Sequence, residues 1–319
     1  MPAPPNLFAA VDLDRVAHRR RDPEWLADRL ARSESRLLVL WRGRCLFSSV
    51  GVELHVADIP APHHRAFADV GVGPVLLGQR DGVAYFAIDI SALDNPSENH
   101  LLAGGRFESP RLLLAAGAHH GAAEPGPSRH DMVASSHLIA YALALLHWHR
   151  QHRFCGACGA ETVIDDAGHR RLCSRASCAR EHFPTLSAAI LALVHDGGDR
   201  LLLGRSARHP PEMRSILAGF REPGESLEDT VAREVFEEVG VRLAEIEYHS
   251  SQPWPFPGSL MVGFSARATS TELIVDPNEL EEADWYDRDA VRAMVASPMI
   301  RVPPSTSLSG RLIRAWLDS

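Results

Sequence analysis

Gly219 to Val241 reads G-F-R-E-P-G-E-S-L-E-D-T-V-A-R-E-V-F-E-E-V-G-V. The stretch joins a glycine turn to a run of carboxylates. Glu234, Glu237 and Glu238 stand at i, i+3 and i+4, so a helix projects all three from one face. Like charges at that spacing repel, and a solvated surface helix gains nothing from them. A hard divalent cation offsets the repulsion, because Mg²⁺ prefers oxygen ligands and shares them with substrate phosphates. Leu227, Val231 and Val235 recur at i, i+4 and i+8, which gives the same helix, expected over 225–239, an apolar face to bury. Gly240 falls where a helix C-cap belongs. The plainer alternative is a charged amphipathic helix with no ligand, and periodicity alone does not remove it.

The wider chain is ordinary for a globular protein. Its 319 residues suggest two domains with a small insert, and 45% hydrophobic with 23% charged residues fits a packed core. A net charge of −8 does not favour non-specific nucleic-acid binding. No apolar run approaches membrane-spanning length, and residues 1–25 lack the apolar core of a secretory signal, so a cytoplasmic protein is expected. Three textures divide the chain. Residues 1–128 alternate short apolar stretches (Leu37–Trp41, Val83–Ile90) with turn residues, as in a β-rich α+β domain, and Gly117–Ser128 reads as a linker. Residues 129–185 carry a helical apolar pattern (Leu138, Tyr141, Leu145, Trp148) that leads into a cysteine cluster. Residues 186–319 give strands at 189–194 and 201–204, the acidic helix, further strands and a closing helix near 308–317, a mixed α/β order.

Four of the five cysteines fall as Cys155-x2-Cys158 and Cys173-x4-Cys178. Two such knuckles close a tetrahedral thiolate site for one Zn²⁺, with every position taken by protein and none left for water; the site is structural. Disulfides are disfavoured without a secretory signal, and no thioredoxin-like pattern surrounds the first pair. His169 and His182 are bystanders beside four thiols, and Cys45 reads as a buried thiol.

Downstream of the acidic helix, Ser251-Gln-Pro-Trp-Pro-Phe-Pro-Gly-Ser259 packs three prolines into five residues. They fix an extended path, hold Trp254 and Phe256 between them, and argue against a central strand. Rigid aromatics near a metal site suit a flat heteroaromatic ligand. A proline-rich loop that packs its aromatics on the core explains the composition equally well.

The resemblance to known families rests on these three segments. Gly219, Glu225, Arg233, Glu234, Val235, Glu237, Glu238, Gly240 and Val241 match the Nudix box at every fixed position. The R-F-C-G-A-C-G segment at 153–159 resembles the zinc ribbon of the NADH pyrophosphatases, also called NAD-capped RNA hydrolases, and S-Q-P-W-P-F-P-x-S at 251–259 is similar to the signature of that family. Residues 130–319 carry the resemblance strongly, the N-terminal third only in outline. It implies a C-terminal Nudix α/β/α sandwich preceded by a zinc ribbon and a β-rich domain. It implies Mg²⁺ or Mn²⁺ on Glu234, Glu237, Glu238 and Glu279 with the carbonyl of Ala218, and a catalytic glutamate: Glu238 first, then Glu237 or Glu279. Arg233 is expected to orient Glu225 and its neighbours. Phe183 and Phe220 would sandwich nicotinamide, from different subunits of a homodimer. Gln252, Pro253, Trp254, Pro255, Phe256, Pro257, Gly258 and Ser259 would line the nucleotide pocket, with Ser309 at the last helix. Two departures are visible: Thr185-Leu-Ser-Ala188 replaces a turn with a fixed proline, and Gly168 stands where some relatives have a substrate-contacting glutamate.

The activity so implied is hydrolysis of the NAD(H) pyrophosphate to nicotinamide mononucleotide and AMP, extending to the NAD cap of RNA. Alternatives are a Nudix hydrolase for ADP-ribose or dinucleoside polyphosphates, a binding module, and a dinucleotide sensor without turnover. An RNA track would draw on Arg19, Arg20, Arg21, Arg205 and Arg208, although arginine runs are usually solvated faces.

Overall fold

The structure, a computed structural model, describes residues 5–9, 13–50, 53–114, 129–297 and 301–319. The expected linker at 117–128 lies outside them. The chain divides into two compact units: 1–113, 123–185 and 255–258 form the first, and 114–122, 186–254 and 259–319 the second.

In the first unit, helix α1 (Pro23–Ala31) starts on Asp22, whose side chain accepts the Trp25 N–H, with Pro23 at the first helical position. The strands β1 (Arg36–Trp41), β2 (Arg44–Val50), β3 (Glu53–Val56), β4 (Asp58–Pro60), β5 (Val72–Arg80), β6 (Val83–Asp89) and β7 (Gly105–Glu108) form one sheet with central order β3-β2-β1-β6-β5. Pairing is antiparallel except between β1 and β6. Leu37, Val39, Leu76, Phe86 and Ile88 fill its core. Helix α2 (Arg129–Gln151) packs on β5 and β6. After it, β8 (Thr162–Asp165), β9 (Arg170–Cys173) and β10 (Glu181–His182) make a small antiparallel sheet that carries the cysteines.

A polar network joins α2 to this small sheet. The buried Arg171 donates to Thr162 Oγ1 (2.6 Å), the Thr162 carbonyl (2.7 Å) and His149 Nδ1 (3.0 Å), and His149 Nε2 donates to the Gly168 carbonyl (2.8 Å). Burial holds His149 down to about 4, so the ring is neutral and can accept from the guanidinium. His169 likewise spends Nε2 on the Leu76 carbonyl, at 2.8 Å.

In the second unit, β11 (Ser187–His195), β12 (Arg200–Arg205), β13 (Leu217–Phe220), β14 (Leu243–Trp254), β15 (Ser259–Ala268) and β16 (Glu282–Asp287) build a six-stranded sheet of order β14-β15-β11-β12-β16, with β13 on β11. Alternation along β11 sends Ile190, Ala192 and Val194 to one face and Leu191 and Leu193 to the other. Val231, Val235 and Val239 of α3 (Leu227–Val239) cover the first face; α4 (Arg288–Ala296) and α5 (Leu308–Leu317) cover the second with Val291, Leu312 and Ile313. The result is the expected α/β/α sandwich.

Two local expectations change. Helix α3 begins at Leu227 rather than at 225, because Ser226 and Asp229 form a reciprocal capping box. That frees Glu225 for the turn before the helix. The segment 251–259 is a hairpin: Gln252, Pro253 and Trp254 pair with Met261, Leu260 and Ser259, and 255–258 form the turn. Pro253 is tolerated because β14 is the edge strand, and Pro255 and Pro257 lie in the turn.

Gly168 has φ +98°, and a Cβ there would overlap the Val75 side chain. Gly168→Ala should therefore destabilise the first unit by at least about 2 kcal/mol. Urea unfolding followed by tryptophan fluorescence would show it.

Candidate active site

Strand β13 and helix α3 bring the acidic cluster together. Gly219 pairs with Ile190 on β11, and a Cβ at 219 would overlap the Glu234 carboxyl group. The box glycine is needed for that close approach, since its own backbone is not in the left-handed region. Ala218 lies exposed next to it on the same strand. Glu238 is only 6% exposed, and its Oε2 has no hydrogen-bond partner. Burial, with the charges of Glu234 and Glu279 added, pushes Glu238 up to about 8. Burial also raises Glu234, and the charges of Glu237 and Glu279 add to it. Glu279, beyond β14 and β15 in sequence, thus joins the cluster electrostatically. A strap places it there: the Ile274 N–H donates to the Val239 carbonyl (2.9 Å), Asp276 N–H to that of Glu238 (3.0 Å), and Glu279 N–H to that of Asp276 (3.2 Å).

The three box glutamates do not share one environment. The Glu237 side chain is 54% exposed and pairs with Arg233 at 2.8 Å. Arg233 also grips Glu225 with two parallel bonds, Nε to Oε1 at 2.5 Å and Nη2 to Oε2 at 3.1 Å, and donates to the Phe220 carbonyl at 2.9 Å. That fork holds Glu225 down to about 2. One guanidinium thus locks the turn before α3, the end of β13 and the outward glutamate.

The chemistry of these donors suits a hard divalent cation, although among the described residues only the four cysteines already have their ligand atoms gathered, so the acids would draw together around the ion. Oxygen-only ligands, like-charge crowding and a buried carboxylate oxygen without a donor are costly alone, and a cation removes all three costs. The residues that would hold it are Glu234, Glu238 and Glu279, with Glu237 at the rim.

The proline segment divides its labour. Gln252 is 1% exposed and spends its amide on α5: it accepts the Leu308 N–H at 2.8 Å and donates to the Thr306 carbonyl at 2.9 Å. It thereby sets the first turn of that helix, where Ser309 stands half-buried. Within the first unit, Phe256 meets Phe8 edge-on (centroids 5.9 Å) and lies under Arg111 (4.2 Å). Pro255 is buried, while Pro253, Trp254, Gly258 and Ser259 are half-buried and Pro257 is exposed. Phe220, at the end of β13, is 59% exposed, and Phe183, in the first unit, is 54% exposed.

The four sulfurs of Cys155, Cys158, Cys173 and Cys178 all lie within 4.8 Å of one another. A tetrahedral Zn–S shell at ~2.3 Å needs sulfurs ~3.8 Å apart. Cys155 to Cys178 at 3.8 Å and Cys158 to Cys173 at 3.5 Å meet that requirement. Neither His169 nor His182 belongs to the cluster. Cys45 is buried, as expected. The arginine track dissolves in part: Arg19 pairs with Asp22, Arg21 with Asp166, and Arg205 with Glu281 and Glu282.

Fold and site together define a Nudix hydrolase with a zinc ribbon. Family models agree: the NUDIX domain matches residues 185–304, the NADH pyrophosphatase zinc ribbon domain 150–183, and the NADH pyrophosphatase-like rudimentary NUDIX domain 34–148. The chain is 35% identical over 332 aligned positions to NAD-capped RNA hydrolase NudC of Mycobacterium bovis, covering 97% of this chain and 94% of that protein. It is 41% identical over 190 positions to NAD-capped RNA hydrolase NUDT12 of Macaca fascicularis, covering 56% of this chain but only 41% of that longer protein. A solved NUDIX hydrolase from Nitrosomonas europaea aligns with TM-score 0.42 at 20% identity over 52% of this chain and 90% of that one. The chain belongs to the NADH pyrophosphatase branch of the Nudix hydrolases.

The raised carboxyl of Glu238 makes the cation-free protein pH-sensitive. Its folded pKa, about 8, lies above the ordinary 4.5. The stability is therefore full below about 4.5 and is lost as pH rises through 8, by up to a few kcal/mol. Glu238→Gln abolishes the loss. With zinc retained and Mg²⁺ and Mn²⁺ removed, the variant should melt roughly 5 °C or more above wild type at pH 8, with the gap closing towards pH 5. Equal melting at pH 8 would contradict this. Mass spectrometry of the wild-type protein should find one bound zinc, and Cys158→Ser should lose it and lower the melting temperature of the first unit.

Proposed function

We propose that this chain hydrolyses the pyrophosphate bond of NAD(H), releasing nicotinamide mononucleotide and AMP, and removes the NAD cap of RNA by the same chemistry. The observation that carries the proposal is the buried, unpartnered Glu238 oxygen with the charges of Glu234 and Glu279 beside it. The NudC and NUDT12 relatives are NAD-capped RNA hydrolases, which supports the substrate class.

A Mg²⁺ or Mn²⁺ ion held by Glu234, Glu238 and Glu279, with the Ala218 carbonyl, would neutralise phosphate charge and lower the pKa of a bound water. Glu238 is the residue we assign to take the water's proton. Glu279, whose charge reaches both buried acids, is the next choice, and Glu237 stands farther out on Arg233. Arg233 fixes the carboxylates without touching substrate. Phe220 offers a ring beside the cluster, and Phe183 carries the same stacking role. The hairpin from Gln252 to Ser259 shapes the nucleotide side, with Gln252 acting through Ser309's helix. One structural Zn²⁺ per chain on the four cysteines, a homodimer and a cytoplasmic location complete the reading; no helix among the described residues is long and apolar enough to cross a membrane.

Glu238→Gln should cut turnover of NADH by roughly two to four orders of magnitude, the scale of a lost general base. Liquid chromatography with mass spectrometry, using NADH, ADP-ribose and NAD-capped RNA in parallel, measures it. Near-normal turnover in the variant overturns the assignment. Cleavage of ADP-ribose in preference to both NAD substrates overturns the substrate class.

A further inference from the structure

Around α3 from the acidic cluster lies a second concavity of about 470 Å³, walled by Phe236, Gly240, Ile274, Val275 and Pro277. Glu237 and Asp276 also line it, adding two carboxylates. Its apolar surface faces water: Phe236 is 47% exposed and Ile274 71%. Exposed apolar groups of this size beside charged ones mark a binding surface more often than a scattered Leu does.

The concavity is preformed. Its far wall is the strap, whose Ile274 and Asp276 N–H groups are spent on the last carbonyls of α3. Gly240 has φ 72°, and a Cβ there would stand only 3.0 Å from Ile274 Cβ, so the glycine makes room for the strap. The Phe236 ring also lies under a cation, the Arg242 guanidinium at 4.8 Å, and Arg242 forms no ion pair among the described residues. An exposed aromatic ring with an unneutralised guanidinium over it offers stacking to a nucleobase and charge to its phosphodiester. The carboxylates of Glu237 and Asp276 add acceptors for a base's exocyclic amino group.

Position ties this concavity to the reaction. Residues 236, 237 and 238 each turn 100° around the helix, so Phe236 and Glu238 sit on nearly opposite sides, with Glu237 between them. A chain leaving the pyrophosphate at Glu238 must cross a helix diameter, ~10–12 Å, to reach Phe236. The base attached directly to the cleaved pyrophosphate is too close to span that, but a nucleotide further along an RNA chain is not.

Building on the hydrolase reading above, we infer that the Phe236–Ile274 concavity is a stacking site for a downstream nucleobase of capped RNA, with Arg242 on its phosphodiester. NADH has no such nucleotide and would not use it.

The test compares kcat/KM for NADH and for a NAD-capped RNA decamer in wild type, Phe236→Ala, Ile274→Ser and Arg242→Gln. Ile274 and Arg242 are surface positions, so those variants guard against a folding defect at Phe236. Each variant should raise KM for the decamer, about tenfold for Phe236→Ala, and leave NADH within twofold. An equal change for both substrates, or none for the decamer, overturns the inference. Wild-type cleavage of NADH without cleavage of the decamer overturns it alone; cleavage of neither overturns the hydrolase reading as well.

Discussion

A carboxylate buried without a donor is expensive, and Glu238, 6% exposed with one oxygen unpartnered and with Glu234 and Glu279 adding like charge, holds its proton instead. The fold could have relieved this with a lysine or an amide. Instead, the surrounding elements hold the acids together. Gly219 gives up its side chain so that Glu234 can lie against the strand. The strap from Ile274 to Glu279 caps the end of α3 and delivers the last acid. Arg233 clamps Glu225, Glu237 and the end of β13, and none of its bonds goes to Glu238. Such an arrangement stores electrostatic cost in the cation-free state, and a divalent ion releases it.

Much of this was legible before any coordinates. The spacing of Glu234, Glu237 and Glu238 gave a helical face, and the Leu227–Val231–Val235 series gave the face that packs. The cysteine spacing gave the thiolate cluster, whose sulfurs meet at tetrahedral separations. The proline segment excluded a central strand correctly, and the structure adds that an edge strand accepts Pro253 while the other two prolines fall in the turn.

What sequence could not separate was environment. Helical spacing placed three glutamates on one face, yet only packing shows that Glu238 is buried and Glu237 is tied outward to Arg233. Gln252 reads as a polar group in a ligand segment, but its amide is consumed by α5 through contacts more than fifty residues away in sequence. Glu279 could be matched only through a resemblance, because its placement depends on backbone hydrogen bonds of the strap, which carry no side-chain signal. The Phe236 surface left no trace in the pattern: a single aromatic on a charged helix face looks like any other until Ile274 and Arg242 are brought beside it.

The central claim is that the buried acid waits protonated and ionises only to take a cation. Calorimetric titration of Mn²⁺ into the zinc-loaded protein at pH 7, in two buffers of different ionisation enthalpy, counts the protons released. With Glu238 at about 8, binding should release close to one proton per site. Mn²⁺ binding with no proton released would contradict the account.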